Sequence, residues 1–294
     1  MPLLSTTRRK FIRLAAAAGV AAVAVDSTLF EPNRPRIIRQ EIALRRWPEQ
    51  LNGFTIALLS DFHYDRHCSV HPLRAAIPMV NGLHPDLIAL TGDFVSYPLF
   101  SPNYVKGALA AEPCAELLRQ MQAPYGSWAV MGNHDFFTDP VHVTAALQAQ
   151  GIQILKNESV PIELKGTRFW LAGVGDVIGG AANLDASLQH AQAEEATILL
   201  AHEPDYADRV ARQVAAKSVD LQLSGHSHGG QVRLPLMRPL YLPELAKKYI
   251  SGLYKIGPLT LYTNSGLGTV GVPVRWNCPP EITLLTLRSS GSVS

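Results

Sequence analysis

The chain has 294 residues, a formal net charge of +2 at pH 7, 10 histidines and 3 cysteines. A net charge so close to zero excludes the bulk basic field that would make nucleic acid an obligatory partner. The few, odd-numbered cysteines exclude a disulfide-stapled scaffold, and the length is sufficient for one large domain with its own core.

The first 25 residues predict an export signal of the twin-arginine (Tat) type. Residues 7–13 contain two adjacent arginines, and the apolar run 14–25 follows them. A membrane span needs about 20 apolar residues, so this short run favours a signal read by the Tat translocase of a bacterium, with cleavage after the Ala-Val-Ala of residues 22–24. The mature protein is then periplasmic or otherwise extracytoplasmic. There are two alternatives to a cleaved signal. The segment could stay uncleaved as a membrane tether, or it could be the first helix of the folded domain.

After the signal, residues 26–53 predict a strand and a connector punctuated by prolines, and residues 54–288 predict one continuous domain before a flexible tail at 289–294. Five short apolar runs lie in this domain, at residues 54–59, 87–90, 128–131, 198–200 and 219–223. Such runs are typical of buried strands, and the stretches near 71–83, 105–121 and 139–150 are long enough for helices. The alternation predicts an α/β fold, in which the carboxyl ends of the strands converge on one crevice.

Polar residues that are able to bind metals follow each of these runs. They form five short motifs: Asp61-Phe62-His63, Gly92-Asp93, Gly132-Asn133-His134-Asp135, Ala201-His202 and Gly225-His226-Ser227-His228. Carboxylate, amide and imidazole groups are ligands of divalent metals. Side chains two residues apart on an extended segment point the same way, so Asp61 with His63, and His226 with His228, are each expected to hold one metal. Asp93 is the candidate bridge between two ions.

In order and wording, these motifs resemble the calcineurin-like metallophosphoesterase family, whose pattern runs D-x-H, G-D, G-N-H-D/E, H, G-H-x-H. The match covers residues 54–230, and the tail up to residue 287 is similar to that of a Tat-exported bacterial phosphodiesterase branch. The resemblance implies a four-layer α/β/β/α sandwich and two divalent metal ions, drawn from Mn, Fe, Zn, Ni and Co.

The resemblance also implies roles for individual residues. One metal would be held by Asp61, His63, Asp93 and His228, and the other by Asp93, Asn133, His202 and His226. A hydroxide bound between the metals would attack phosphorus, with His134 as the proton donor and Asp135 orienting the His134 ring. Contacts with the substrate phosphate are expected from Asn133, His134 and Arg275.

The favoured activity is that of a phosphodiesterase, and two alternatives stay open. One is a lipid-linked pyrophosphatase similar to a UDP-2,3-diacylglucosamine diphosphatase, and the other is a non-catalytic, metal-dependent binding protein of the cell envelope. Residues 232–254 bear on this choice, because they mix apolar side chains with arginine and lysine. They predict either contact with a membrane surface or, as the favoured interpretation, a loop that packs over the sheet.

Overall fold

The computed structural model describes residues 3–97, 107–213 and 219–292. Within these ranges, twelve strands form two six-stranded sheets. The strands are β1 (Arg36–Leu44), β2 (Thr55–Leu59), β3 (Leu87–Leu90), β4 (Ser127–Ala129), β5 (Gln153–Ile154), β6 (Glu158–Leu164), β7 (Thr167–Gly173), β8 (Thr197–Leu200), β9 (Leu221–Ser224), β10 (Gly252–Ile256), β11 (Leu259–Thr263) and β12 (Glu281–Ser289). The helices are α1 (Leu3–Val25), α2 (Val70–Leu83), α3 (Ala111–Leu118), α4 (Asn133–Thr138), α5 (Pro140–Ala149), α6 (Leu184–Ser187) and α7 (Ala207–Arg212).

The first sheet has the strand order β1-β12-β2-β3-β4-β5. Strands β2 to β5 run parallel, while β12 is antiparallel to β2 and parallel to β1. Apart from Thr55, the short strands β2 and β3 consist of buried aliphatic residues, as expected where a parallel sheet is covered on both faces. Their carboxyl ends therefore lie side by side at one edge of the sheet.

The second sheet has the strand order β10-β11-β9-β8-β7-β6. Its four central strands β11, β9, β8 and β7 are parallel, and an antiparallel strand closes each side. The predicted runs at 198–200 and 219–223 correspond to β8 and β9. Their carboxyl ends also meet at a common edge.

Three buried clusters separate the layers of the molecule. One lies between the first sheet and helices α2, α3 and α5, a second fills the space between the two sheets, and a third packs the second sheet against α6 and α7. This arrangement confirms the predicted four-layer α/β/β/α sandwich. The predicted helices near 71–83 and 139–150 correspond to α2 and α5. The helix predicted at 105–121 starts outside the described residues, and its described part contains α3.

The N-terminal helix stands apart from these layers. Residues Arg8–Asn33 form a helical stretch of 26 residues that is long and apolar enough to cross a membrane. Within its most apolar 18 residues, only 6% are buried. It is therefore not a core helix of the domain. A signal sequence would meet the same criterion of length and composition. The helical stretch exceeds the predicted apolar run 14–25 because its structure continues through Asp26–Phe30 and Glu31–Asn33.

Candidate metal centre

The five motifs meet where the carboxyl ends of the two sheets face each other. Asp61 and Asp93 follow β2 and β3 of the first sheet, and Asn133 opens helix α4 just after β4. His202 and His226 follow β8 and β9 of the second sheet. Each motif lies at the point where a buried strand ends, so residues far apart in sequence come together in space.

The backbone at these motifs departs from the extended conformation that the sequence analysis assumed. Asp61 and His63 have φ angles of +54° and +41°, and His226 and His228 have φ angles of +65° and +51°. Left-handed conformations are costly for residues other than glycine and concentrate at functional sites. The prediction that His226 and His228 hold the same metal is wrong for this reason, because the turn between them sends the two rings to different clusters.

The first cluster consists of Asp61, His63 and His228. The Nε2 atoms of His63 and His228 are 2.9 Å apart, and Nε2 of His228 is 3.3 Å from Oδ1 of Asp61. Nδ1 of His63 lies 3.2 Å from the Ser96 hydroxyl, on the outer side of the ring. An imidazole that is held from outside in this way presents its other nitrogen to the centre of the cluster.

The second cluster consists of Asp93, His202 and His226. Nδ1 of His202 donates to the carbonyl of Thr91 at 2.6 Å, and Nε2 of His226 donates to the carbonyl of Glu244 at 2.8 Å. Since carbonyls only accept hydrogen bonds, these contacts fix the tautomer of a neutral ring. The inward nitrogens, Nε2 of His202 and Nδ1 of His226, are 3.1 Å apart.

Asp93 joins the two clusters through a single oxygen atom. Its Oδ2 is 3.4 Å from Nε2 of His63 and 3.2 Å from Nε2 of His202, and its Oδ1 accepts the backbone N–H of His134 at 2.9 Å. One carboxylate oxygen is thus held by the backbone while the other faces both groups of ligands. This is the geometry that a bridging carboxylate requires.

The donor set fits divalent cations on its own chemistry. Nitrogen and carboxylate acceptors converge at about 3 Å in each cluster. In addition, Oδ1 of Asn133 is buried without a hydrogen-bond partner among the described residues. A buried acceptor without a donor is costly, and acceptors that face one another are stabilised by positive charge between them. The residues predicted as metal ligands therefore form a set that suits a metal better than it suits a packed core.

Burial and charge shape the protonation of these groups. Burial lowers the pKa of His63 and of His226 to about 3, so both imidazoles are neutral ligands at ordinary pH. Burial also disfavours charge on His202, but the carboxylate of Asp93 outweighs it and raises the pKa of this histidine well above its usual value. Burial raises the pKa of Asp61 to about 6. Burial also disfavours charge on Asp93, but the nearby His202 outweighs it and holds the pKa of this carboxyl well below its usual value.

His134 lines the cavity above the clusters, with its ring centroid 4.6 Å from that of His63. Its Nδ1 accepts the backbone N–H of Tyr97 at 2.8 Å. In a neutral ring this contact leaves the proton on Nε2. The group predicted as proton donor is therefore oriented by a main-chain amide.

The predicted role of Asp135 in orienting the His134 ring is wrong. Oδ2 of the buried Asp135 accepts the amides of Asp93 and Gly132 at 2.8 and 3.0 Å, and Oδ1 accepts those of Phe94 and Val95 at 2.8 and 3.1 Å. Four backbone donors occupy both oxygens, so the carboxylate fixes the turn that carries Asp93. Asp135 thus contacts the turn of Asp93, the predicted bridging residue, and not the ring of His134.

Arg275 does not make the predicted phosphate contact. Its side chain is fully buried, and all three guanidinium nitrogens donate to backbone carbonyls, at Gly268, Cys278, Ser265 and Gly266. Arg275 thereby holds residues 265–268, and these are hydrogen-bonded to the turn after β2. The amides of Leu267 and Gly268 donate to the carbonyls of Ser60 and Asp61. Arg275 is thus a structural residue that supports Asp61 from behind.

Two glycines allow this close packing around the ligands. A Cβ atom on Gly132 would lie 2.7 Å from the amide nitrogen of Asp93, and one on Gly268 would lie 2.9 Å from the carbonyl oxygen of Asp61. Neither partner can move, since both belong to the backbone of a ligand-bearing turn. These two glycines thus allow one turn to approach another closely.

A cavity of about 540 Å³ opens above the two clusters. Its floor is polar and contains Asp93, Asn133, His134, His226 and His228. Its wall is largely apolar and contains Val232, Leu240, Tyr241, Pro243, Val270 and Val272. Part of this wall belongs to segment 232–254, and the packing interpretation of that segment is wrong for residues 235–241, because Leu236, Met237, Leu240 and Tyr241 are exposed.

Several contacts that orient the predicted ligands could not be predicted from the sequence. The carbonyls of Thr91 and Glu244 and the amide of Tyr97 orient three of the histidines. Main-chain groups are the same for every residue type, so no sequence pattern could reveal them. The hydroxyl of Ser96, which lies 3.2 Å from Nδ1 of His63, belongs to none of the five motifs.

Comparisons with known proteins point to one family. The model of the calcineurin-like phosphoesterases matches residues 54–230. The uncharacterized metallophosphoesterase YkuE of Bacillus subtilis is 33% identical over 88% of this chain and 88% of its own length. Phosphodiesterase YaeI of Escherichia coli is 32% identical over 96% of this chain and 99% of its own length. The transmembrane protein with metallophosphoesterase domain of Danio rerio is 32% identical over 92% of this chain and 61% of its own length.

Replacing the Asp135 carboxylate tests its role as a clamp on the turn. Asp135→Asn should lower the free energy of unfolding by about 1–3 kcal/mol and reduce metal content, because an amide group cannot accept from all four backbone donors. Chemical denaturation and metal analysis measure both effects. Asp139→Asn is the matched control, since Asp139 caps α5 and asparagine caps equally well. Unchanged stability with a loss of rate alone would instead favour a role on His134.

Arg275→Met should lower the free energy of unfolding by about 3 kcal/mol or more, because it leaves several buried carbonyls without donors. Arg275→Lys should also be destabilising, since an ammonium cannot reproduce the guanidinium fork. Denaturant titration measures the loss, with the exposed Arg39→Met as control. A higher KM at unchanged stability would contradict this structural role and restore the phosphate contact.

Proposed function

The chain belongs to the calcineurin-like phosphoesterase family, and from this membership we propose that it is a phosphodiesterase that works with two divalent metal ions. The observation that carries the proposal is Oδ2 of Asp93, which faces a cluster of ligands on either side. A shared carboxylate lets two cations act together on one phosphoryl group.

Asp61, His63, Asp93 and His228 would hold one ion, and Asp93, Asn133, His202 and His226 would hold the other. When bound, the ions would polarise the phosphoryl oxygens and make a water molecule acidic enough to attack at neutral pH. Carboxylate, amide and imidazole ligands suit Mn, Fe, Zn, Ni and Co. Which of these metals is used would follow from availability as much as from affinity.

His134 would act on the leaving group. The amide of Tyr97 keeps Nδ1 occupied as an acceptor, so the proton on Nε2 is the one that the ring can give to the departing oxygen. Asn133 and His134 both line the cavity and would contact the phosphate. Neither role needs Arg275.

The cavity supports a diester in preference to a monoester. Its polar floor accepts one phosphate group, and its apolar wall offers room for a second substituent beyond the leaving group. The E. coli relative is named a phosphodiesterase, which supports the same choice.

The apolar wall also favours a second candidate, a lipid-linked pyrophosphatase. Such an enzyme should cleave UDP-2,3-diacylglucosamine faster than bis(p-nitrophenyl) phosphate, whereas a phosphodiesterase should show the reverse order. A non-catalytic envelope binding protein would hydrolyse neither.

We also propose that the chain is exported by the Tat translocase and acts outside the cytoplasm. Support comes from Arg8 and Arg9, which lie within α1 ahead of its apolar run 14–25, and from the helical stretch Arg8–Asn33, which suits a signal or an anchor. One relative, that of Danio rerio, is named a transmembrane protein.

Metal removal provides the first test of the function. Dialysis of the purified protein against EDTA should abolish hydrolysis of bis(p-nitrophenyl) phosphate, and Mn²⁺ should restore it. Metal analysis should find two ions per chain, and Asp93→Asn should lose both because it removes the shared ligand. Full hydrolysis by metal-free protein would sink the proposal.

Replacing His134 separates chemistry from metal binding. His134→Ala should keep both metals and lose about 10²- to 10⁴-fold in kcat, the usual contribution of a general acid. Steady-state kinetics and metal analysis measure the two quantities, with His190→Ala as control because His190 is exposed outside the clusters. An unchanged kcat would show that His134 does not carry the proton.

A further inference from the structure

An exposed apolar rim borders the mouth of the cavity. The rim consists of residues 235–241 and 271–273. Four of its side chains, Leu236, Met237, Leu240 and Tyr241, are 108, 61, 69 and 72% exposed, and Val272 is 60% exposed. A group of large exposed apolar side chains beside a functional opening marks an interaction surface.

The part of the rim at residues 271–273 is held from behind by one buried side chain. The amide of Gln231 donates to the carbonyls of Val270 and Val272 at 3.2 and 3.0 Å, and its Oε1 accepts the N–H of Val270 at 3.0 Å. The backbone of the neighbouring Arg233 donates to the carbonyl of Trp276 at 2.8 Å. Hydrogen bonds therefore fix the backbone that carries the exposed Val272.

Residues 27–31, which follow helix α1 and are called its root here, lie on the other side of residues 268–273. Thr28 and Leu29 line a crevice together with Gly268, Thr269 and Pro273, while Val270 and Val272 face the cavity. The carbonyl of Ser27 accepts the amide of Arg275 at 2.9 Å. The carboxylate of Glu31 accepts the amides of Asn277 and Cys278. A helix of membrane-spanning length is thus fastened beside the rim.

We propose that the rim docks on the surface of an anionic phospholipid bilayer, with α1 retained beside it as the anchor. Two observations point to a bilayer as the occupant. The first is the continuity between the rim and the root of a stretch long and apolar enough to cross a membrane. The second is charge, because the exposed Arg238 lies within the rim and bonds the backbone of the exposed Lys247, which places cations next to apolar groups. Glu244 is the exposed carboxylate nearby.

Docking in this orientation turns the cavity towards the lipid headgroups. The substrate class is then the phosphodiester of a membrane amphiphile, with its phosphate on the polar floor and its apolar part along the wall. This choice of substrate rests on the function proposed above, whereas the docking itself does not.

The test measures insertion of the rim directly on the full, uncleaved chain. In a Cys68→Ser background, Met237→Cys and Glu163→Cys are each labelled with the fluorophore NBD, since Cys114 and Cys278 are buried. The chains are reconstituted in vesicles of phosphatidylcholine and phosphatidylglycerol, with or without doxyl-labelled lipid. Glu163 is the control because it pairs with Arg168 near the start of β7, at the end of the second sheet opposite the metal ligands.

The label at position 237 should shift to shorter wavelength and be quenched by doxyl lipid, while the label at 163 stays solvent-like. Equal, solvent-like emission at both positions would overturn the proposal. A shift at 237 that appears without lipid and grows with protein concentration would also overturn it and would identify a second copy of the chain as the occupant.

Hydrolysis of bis(p-nitrophenyl) phosphate by the same samples keeps the two proposals separate. Met237 does not line the cavity, so the labelled Met237→Cys chain should hydrolyse this soluble ester at the unlabelled rate. Lipid quenching without hydrolysis would support the membrane docking and contradict the proposed phosphodiesterase activity. Hydrolysis without quenching would support the proposed enzymatic activity and contradict the membrane docking.

Discussion

A buried carboxylate must be compensated by positive charge or by hydrogen-bond donors, and in this molecule that requirement falls most heavily on Asp93. One oxygen takes a backbone amide, and the other faces His63 from the first sheet and His202 from the second. Because these two histidines belong to different sheets, the distance between the layers must be held closely. The hydrogen bond from His202 to the carbonyl of Thr91 joins the two sheets, while the four amides on Asp135 and the buried fork of Arg275 fix turns that carry the predicted ligands.

Much of the framework could be predicted from local sequence. Aliphatic runs such as 87–90 become strands because burial on both faces selects β-branched and aliphatic residues, and polar residues follow where the strands leave the core. Convergence of the motifs then needs only the parallel arrangement of the strands. The order of the four layers came from family resemblance, since no local pattern states which sheet packs on which helices.

What could not be predicted depends on backbone groups and on exposure. Asp135 and Arg275 are ionisable residues near a phosphate-type site, so roles in catalysis and binding were natural expectations. The structure instead turns both towards main-chain amides and carbonyls, which carry no residue identity. Segment 232–254 was misjudged for a related reason, because hydropathy alone cannot separate a packed apolar side chain from a displayed one such as Leu236.

The position of β12 has a consequence for the order of assembly. This C-terminal strand lies between β1 and β2, the first two strands of the chain. The first sheet therefore lacks the strand that joins β1 to β2 until residues 281–289 are made, and the Gly266–Gly268 turn that backs Asp61 lies in the connection between β11 and β12. Contacts of such large sequence separation form slowly, so pairing of β12 with β1 and β2 is expected late in folding. Removal of β12 would leave a chain that keeps all its predicted metal ligands and loses the strand that joins β1 to β2.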